Sequence, residues 1–253
     1  MIKKTILVIT ISIFLNLIPA IAEEKKIYKV AVDNYYPPFS YIDPLSDKLE
    51  GLAVDVARKI CEDVNISCEF VGMEHSETFA ALENKEIDFI CVAPGLRIDV
   101  GSLFLNSEKY IHSSSAYVGL KGVVKEVTPQ TLTGLRVGVI RGSLQDWYLS
   151  AKYPKIIEEI KYEDFDDITT ALVLKEIDLG LVDIMATYYF MQKDKEMAFD
   201  VFGHPVNVGD GAFMMVLKSN PELLRKLNEA ILSIHTSSKF DSINAKYYDF
   251  FIF

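Results

Sequence analysis

Residues 81–88 read Ala-Leu-Glu-Asn-Lys-Glu-Ile-Asp, and residues 171–178 read Ala-Leu-Val-Leu-Lys-Glu-Ile-Asp, identical at six of eight positions. A short apolar run follows each copy, at residues 89–93 and 179–182. This pattern is typical of a helix end, a turn and a buried strand, which together form half of a βαβ unit. Chance could produce one such match between common residues, but the flanking sequence repeats as well. We therefore predict two α/β lobes of similar construction.

The same order of elements appears on both sides of the chain. In the first half, strands are predicted at residues 26–33, 69–71 and 89–93, with helices at 52–64 and 78–84. In the second half, strands are predicted at 136–140, 157–162 and 179–182, with helices at 145–151 and 168–174. Two consecutive βαβαβ units favour two mostly parallel sheets, flanked by helices and separated by a hinged cleft.

The C-terminal part departs from this order. It contains a predicted strand at 212–217 and helices at 221–233 and 238–248. We interpret 117–120 and 204–209 as strands or linkers that cross between the lobes, so that the last helices pack on the first lobe. The predicted division is residues 23–116 with 208–253 for lobe 1, and 117–207 for lobe 2.

The first 22 residues have the pattern of a secretory signal. Lys3 and Lys4 precede an uncharged run, and the small residues Ala20 and Ala22 fit a cleavage site before Glu23. We expect export to the periplasm with cleavage after Ala22. A retained membrane anchor is the alternative, although the apolar stretch is short for a spanning helix.

The charge balance restricts the partners. A chain that starts at Glu23 carries 24 basic and 36 acidic residues, a formal net charge near −12. This argues against nucleic acid or an anionic membrane as the partner. It weakly favours a cationic or zwitterionic ligand, and we expect a monomer.

The cysteines predict a disulfide rather than a metal site. Cys61 and Cys68 flank a predicted helix end, where the chain can double back and bring the sulfurs together. Two free buried thiols are the alternative, and Cys91 is expected to be a small core residue. The four histidines have no metal-ligand spacing, so we expect no metal and no cofactor.

Candidate binding residues follow the strands, because ligands of parallel α/β sheets bind at the carboxyl ends of the strands. Asp33 and Tyr36 follow the first strand, and Asp183 follows the second copy of the repeat. Gly95 and Arg97 follow the first copy. The segment Arg141-Gly142-Ser143-Leu144-Gln145 follows the strand at 136–140, where Ser143 can cap a helix whose free N–H groups favour an anion.

These motifs together resemble the periplasmic solute-binding proteins, family 3, of ABC importers for polar amino acids, and most of all the histidine and lysine/arginine/ornithine binders. The resemblance covers residues 27–250. It rests on the Asp33, Tyr36 and Pro38-Phe39 loop, the Gly51-x-x-Val54-Asp55 helix entry, the Cys61 and Cys68 pair, the Arg136-Val-Gly-Val strand with Gly142-Ser143-x-Gln145, and Asp183. It implies a periplasmic-binding-protein-like fold and an inner-membrane ABC permease as partner.

The resemblance also implies residue roles. Tyr36 is expected to stack on the ligand side chain, and Asp183 to receive the ligand ammonium. Asp33 is expected to reach a basic side chain or to order the loop. Ser143 and Gln145 are expected on the carboxylate side, with helix capping as the alternative for Ser143, and His75 takes the place of an aromatic lid or is a solvated loop residue.

One departure concerns the carboxylate clamp. The family usually has a threonine and, three residues later, an arginine that binds the ligand α-carboxylate; this chain has Arg97 and Val100 there. Because positions i and i+3 share a helical face, Arg97 could supply the guanidinium from the previous turn. Alternatively, Arg97 is exposed and the ligand is not a standard α-amino acid.

The predicted function is therefore a non-enzymatic receptor for a small polar, amino-acid-like and cationic ligand. A cyclohexadienyl-dehydratase-like enzyme on the same scaffold is one alternative, although Val100 leaves its need for two carboxylate sites poorly met. An accessory periplasmic protein for a non-amino-acid solute is the other.

Overall fold

The computed structural model describes residues 26–95, 103–193, 199–209 and 211–249. Two five-stranded sheets form the two lobes. The first has the order β5-β1-β6-β13-β7, with β1 at Ile27–Asp33, β5 at Ser67–Met73, β6 at Phe89–Val92, β7 at Phe104–Ile111 and β13 at Ala212–Leu217. The second has the order β10-β9-β11-β8-β12, with β8 at Ser115–Leu120, β9 at Arg136–Ile140, β10 at Glu158–Tyr162, β11 at Leu179–Asp183 and β12 at Phe199–Val206.

A small antiparallel sheet joins the first lobe. It consists of β2 at Tyr35–Tyr36, β3 at Ser40–Ile42 and β4 at Leu49–Glu50. The helices are α1 at Leu52–Asp63, α2 at His75–Glu83, α3 at Pro129–Leu132, α4 at Leu144–Lys152, α5 at Phe165–Val173, α6 at Ile184–Lys193, α7 at Pro221–His235 and α8 at Lys239–Asn244. None of the helices in the described ranges has the length and apolar character needed to span a membrane.

Both copies of the repeat end their helix in the same way. Lys85 has φ +62° and Lys175 has φ +57°, so each chain leaves its helix through the left-handed region. The next N–H then bonds back to the helix, from Glu86 to the Ala81 carbonyl and from Glu176 to the Ala171 carbonyl. This pattern satisfies carbonyls that a helix end leaves without partners.

The last residue of each copy then fixes the following strand. The Asp88 carboxylate accepts the backbone N–H of Lys29 at 2.9 Å, and Asp178 accepts that of Arg136 at 2.8 Å. Lys29 lies in β1 and Arg136 in β9, each the strand beside which the repeat strand lies. The repeated octapeptide therefore forms the same structural motif in each lobe.

Each sheet combines parallel and antiparallel strands. The strands of the βαβαβ units, β1, β5 and β6 in one lobe and β9, β10 and β11 in the other, pair in parallel. The remaining strands, β7, β8, β12 and β13, pair antiparallel. The two-lobed α/β fold is thus as predicted, with antiparallel strands added where the chain changes lobe.

The chain passes between the sheets at 112–114, after β7, and has returned to the first sheet at β13. The segment 117–120 is a strand, as one of the two predicted possibilities, but it lies inside β8 of the second sheet and not at the crossing. The first residues of the other predicted crossing, 204–206, lie inside β12 of the same sheet. The C-terminal helices α7 and α8 pack on α1 in the first lobe, as predicted.

The cysteines behave as predicted within the described residues. Cys61 and Cys68 form a disulfide that ties the end of α1 to β5. Cys91 is a free, buried thiol in β6, and burial raises its pKa above the usual range. It is therefore a small core side chain and not a reactive thiol.

Candidate functional site

A cavity of about 400 Å³ lies between the carboxyl edges of the two sheets. Loops after β1, β5 and β6 line it from the first lobe, and loops after β9 and β10 line it from the second. Of the predicted site residues, Asp33, Tyr36, His75, Gly95 and Ser143 line this cavity. The other lining residues are Asn34, Tyr35, Glu74, Ile140, Arg141, Gly142, Glu163 and Asp164.

Tyr36 lies close to two of the predicted carboxylates. Burial raises its pKa well above the ordinary value, and the charges of Asp183 and Asp33 raise it further. Its ring also contacts Phe39, with ring centres 5.4 Å apart. The phenol therefore stays neutral, with its ring packed against Phe39 in a strongly anionic environment.

Asp183 is a buried carboxyl group, with 4% of its surface exposed, at the start of α6. Its Oδ1 accepts the backbone N–H groups of Met185 and Ala186 at 2.8 and 3.1 Å, and its Oδ2 accepts the Ser113 hydroxyl at 2.6 Å. Burial raises its pKa to about 6, although these hydrogen bonds act in the opposite direction. A carboxylate has about four acceptor positions, and these bonds use three of them. Asp183 and Gln145 are the predicted site residues within the described ranges that do not line the cavity.

His75 and Asp33 lie on the first-lobe side of the cavity. His75 Nδ1 is 3.5 Å from Asp33 Oδ2, and the imidazole packs edge-on against Phe79. His75 Nε2 is buried and has no hydrogen-bond partner in the described part of the chain. One ring nitrogen thus faces the Asp33 carboxylate, and the other is a buried polar atom.

The two predicted second-lobe residues near α4 are both buried and both hydrogen-bonded within the protein. Ser143 Oγ accepts the N–H of Asp146 at 3.1 Å and so caps α4. Gln145 Nε2 donates to Ser115 Oγ at 3.0 Å. Ser143 is therefore the helix cap that the alternative interpretation proposed, and Gln145 ties α4 to β8.

Hydrogen bonds across the cleft hold the lobes closed. The N–H of Leu144 donates to the Gly95 carbonyl at 2.9 Å. The Tyr35 hydroxyl donates to Asp166 Oδ2 at 2.5 Å, and this contact raises the pKa of Tyr35 to about 12. The structure is therefore a closed form.

The sequence departs from the family's carboxylate clamp at Arg97 and Val100. Both residues lie outside the described ranges, as does the predicted signal segment at 1–22.

A profile of the bacterial extracellular solute-binding proteins, family 3, matches residues 28–250. The chain belongs to this family. The match covers the two lobes and the C-terminal helices, and it confirms the resemblance drawn from the sequence motifs.

Two relatives of this chain are named for the basic amino acids that they bind. The L-arginine-binding protein of Pseudomonas aeruginosa is 26% identical over 257 residues, which cover 99% of this chain and 98% of the relative. The lysine/arginine/ornithine-binding periplasmic protein of Escherichia coli is 24% identical over 258 residues, which cover 99% of each. These relatives are binding proteins, so this family 3 protein is a binding protein, and the dehydratase alternative is not supported.

Solved structures agree on the fold. The periplasmic binding protein of an arginine transport system from Legionella pneumophila has a TM-score of 0.74 at 21% identity, covering 87% of this chain and 99% of that chain. An ancestral arginine-binding protein bound to arginine has a TM-score of 0.74 at 23% identity, covering 88% and 98%.

Three acidic residues of the cavity lining are not among the predicted site residues. Glu74 directly follows β5, and Glu163 and Asp164 directly follow β10. The rule that ligands bind at strand ends applies to these two strands as well. Their position directly after a strand is therefore the sequence signal that marks these three residues.

Proposed function

We propose that this family 3 protein is the periplasmic receptor of an ABC importer and binds a small cationic polar solute between its lobes. The observation that carries the proposal is the excess of carboxylates in the cavity. Arg141 pairs with Glu163 at 2.9 Å, so these two charges offset each other. Asp33, Glu74 and Asp164 then leave the described lining strongly anionic.

The names of the relatives support the same solute class. The curated relatives described above are named for arginine and for lysine, arginine and ornithine. A third, the histidine-binding periplasmic protein of Escherichia coli, is 25% identical over 258 residues. Each of these amino acids carries a basic side chain, which matches an anionic cavity.

The proposed roles follow the geometry. Asp183 receives an ammonium group at its remaining acceptor position, and the ring of Tyr36 lies against the ligand, where cation–π attraction adds to the binding. Asp33 and His75 contact the distal part of the solute. Gly95, Ser143 and Gln145 shape the opposite wall of the cleft.

Arg97 decides whether a solute carboxylate has a guanidinium partner in the first lobe. If Arg97 clamps a carboxylate, Arg97→Ala weakens amino-acid binding by well over roughly tenfold, the scale of a lost charge-assisted bidentate bond. Unchanged affinity assigns Arg97 no contact with the solute.

Transport follows from closure. A solute that contacts both lobes shifts the population towards the closed form, and the closed form docks on an inner-membrane permease. The proposal includes export with cleavage after Ala22, a monomeric protein, and lobes at residues 23–116 with 208–253 and at 117–207.

A thermal-shift screen of cationic, neutral and acidic small solutes, followed by calorimetry, tests the proposal. A cationic solute at a hundred times its Kd stabilises the folded state by about 2.7 kcal/mol, which raises the Tm by roughly 5–10 °C. Neutral and acidic analogues of the same size are expected to have no effect. Stabilisation by acidic or neutral solutes alone would refute the cationic class.

A matched pair of charge variants localises the effect. Glu74→Gln removes a carboxylate that lines the cavity, whereas Glu77→Gln removes one from the first turn of the same helix, α2, outside the lining set. We expect only Glu74→Gln to weaken binding of the cationic solute. Equal affinities of the two variants would show that the cavity carboxylates do not contact it.

A further inference from the structure

The carboxylate of Asp183 is bonded to the crossing segment, residues 112–114, which leads the chain from β7 in the first lobe to β8 in the second. The Ser113 hydroxyl donates to Asp183 Oδ2 at 2.6 Å. The N–H of Ile184 donates to the Ser114 carbonyl at 2.9 Å. The crossing segment therefore contacts both the side chain of Asp183 and the backbone that follows it.

The second sheet fixes the position of the Ser113 hydroxyl. Ser115, the first residue of β8, pairs with Asp183, the last residue of β11. Because the pairing of two antiparallel strands sets which residues are opposite, Ser113 lies just beyond the end of β11. The bond from Ser113 to Asp183 is therefore part of the second lobe and does not cross the cleft.

The two oxygens of the Asp183 carboxylate have different kinds of donor. Oδ1 accepts backbone N–H groups from the first turn of α6, at Met185 and Ala186, whereas Oδ2 accepts the Ser113 hydroxyl. The backbone donors remain whichever side chain stands at position 113. The hydroxyl is the one of these three donors that a side-chain substitution removes, so its contribution can be measured by itself.

Burial and hydrogen bonding have opposite effects on Asp183. Burial raises the pKa of its carboxyl group to about 6, and among the three hydrogen bonds that lower it, the bond from Ser113 has the largest effect. A donor that bonds to the ionised form of a carboxyl group stabilises that form. Loss of the Ser113 hydroxyl is therefore expected to raise the pKa of Asp183 further, towards neutral pH.

Two tyrosines lie close to the Asp183 carboxylate within the described residues, Tyr36 in β2 and Tyr248 after α8. Burial raises the pKa of both phenols well above the ordinary value, and the charge of Asp183 raises it further. The Tyr248 hydroxyl donates to the Met185 carbonyl at 3.1 Å. Both phenols therefore stay neutral near pH 7 and add no charge of their own while Asp183 titrates.

We propose that Ser113 is a positioning residue for the solute ammonium: its hydroxyl bonds the carboxylate of Asp183 and holds it in the form that accepts an ammonium group. The proposal rests on the proposed function, in which Asp183 receives this group. Ser113 acts through Asp183 and does not itself contact the solute.

Ser113→Ala tests the proposal by calorimetry on the full mature chain, with arginine, lysine and ornithine as probes. If the pKa of Asp183 rises by about one unit, the scale of one hydrogen bond to a charged group, the variant binds about five- to tenfold more weakly than the unmodified protein between pH 5 and 6. At pH 8.5 the carboxyl group is ionised in both proteins, so the difference is expected to fall below about twofold. A loss of the same size at every pH, or no loss at any pH, overturns the proposal.

Ser114→Ala is the matched control in the same segment. The bond from Ile184 reaches the backbone carbonyl of Ser114, so this variant retains it. We expect Ser114→Ala to keep the affinity and the pH profile of the unmodified protein, and Ser113→Thr, which keeps a hydroxyl, to restore them. Identical pH profiles of Ser113→Ala and Ser114→Ala would count against any role of the hydroxyl and overturn the proposal.

A measurement without solute separates this proposal from the proposed function. Carbon-13 NMR of the Asp183 carboxyl group is expected to show a raised pKa in Ser113→Ala and an unchanged one in Ser114→Ala. An unchanged pKa in Ser113→Ala overturns the proposal and leaves the proposed function standing. A raised pKa without any change in the binding of the three probes would show that Asp183 does not receive the ammonium, which overturns the role of Asp183 in the proposed function as well.

Discussion

The N–H of Leu144, the first residue of α4, donates to the carbonyl of Gly95 in the opposite lobe over 2.9 Å. Gly95 has φ +80°, and an added Cβ would lie 2.8 Å from Gln145 Nε2. The two lobes therefore approach each other here through a backbone hydrogen bond, and a side chain at position 95 would be strained at this φ and would press on the Gln145 amide.

Gly95→Ala is expected to weaken solute binding by about 5–30-fold, which corresponds to roughly 1–2 kcal/mol. The added methyl group contacts Gln145 only when the lobes are closed, so it penalises the closed form. Calorimetry of the variant with the bound solute measures this loss.

Gly134→Ala is the control for Gly95→Ala. Gly134 also has a left-handed φ, +77°, but nothing lies within 4 Å of an added Cβ. Both variants are expected to lose roughly 1–2 kcal/mol of stability through backbone strain. Equal losses of affinity in the two variants would contradict a specific role of the Gly95 contact.

The hydrogen bond between Tyr35 and Asp166 also links the lobes, and Tyr35→Phe removes it. Tyr35 is half exposed, so we expect a loss of only about 0.5–1 kcal/mol, or a two- to fivefold weaker affinity. The change is expected in the dissociation rate, because the contact forms only in the closed complex. Stopped-flow measurement of solute release checks it.

Two charge variants of α5 serve as a test and a control for the effect of Tyr35→Phe on solute release. Asp166 and Asp167 are neighbours in the first turn of α5, and only Asp166 bonds to Tyr35. Asp166→Asn is expected to speed release as Tyr35→Phe does, whereas Asp167→Asn leaves it unchanged. The double variant Tyr35→Phe with Asp166→Asn should be no faster than either single variant; additive effects would argue against a direct bond.

Local sequence signals were sufficient for the elements that repeat. The helix end at Lys85 and the one at Lys175 have the same backbone geometry, and β9 has the predicted bounds. In these segments the apolar pattern, the turn and the burial all favour the same structure.

Other elements carry contrary signals. The strand β12 contains Gly203 and Pro205, which normally argue against a strand and are tolerated here because β12 lies at the sheet edge. The helix α6 begins directly after β11, so no turn residues between them mark the start of the helix in the sequence.

The candidate site was predictable only in part for a similar reason. Asp33, Tyr36 and Asp183 follow strands directly, and strand ends can be read from the sequence. The hydrogen bond between Leu144 and Gly95 joins the backbones of two lobes, so no pattern of side chains in the sequence predicts it. The acceptor of the Leu144 N–H, at the start of α4, could therefore not be predicted from the sequence.

Loss of the disulfide is expected to destabilise the first lobe. The bond closes a loop of about eight residues, for which chain entropy gives about 2–3 kcal/mol. Cys61→Ser with Cys68→Ser is expected to lower the free energy of unfolding by this amount, measured by urea denaturation. Cys91→Ala, which removes a thiol outside the disulfide, should leave the response of the protein to reducing agents unchanged; a changed response would contradict the assignment of the disulfide.

Asp183 is expected to make stability and binding depend on pH in opposite directions. Its pKa is about 6 in the folded protein, against about 3.9 for an unfolded aspartate. Between these values the folded state holds a proton that the unfolded state has released, so the contribution of Asp183 to stability falls as pH rises from about 4 to 6. A cationic solute needs the ionised form, so affinity is expected to rise about tenfold from pH 5 to pH 7.

Asp183→Asn separates these two effects. The amide can still accept the N–H groups of α6, and it can donate to Ser113, so the fold is expected to remain intact. The variant should lose the stability slope between pH 4 and 6 and most of its affinity for the cation at pH 7. Asp178→Asn is the contrasting control, because its bond to Arg136 lowers the pKa of Asp178, so that its contribution is lost only as pH falls. If Asp183→Asn kept full affinity, with binding that still weakened at pH 5, another group would have to hold the solute ammonium.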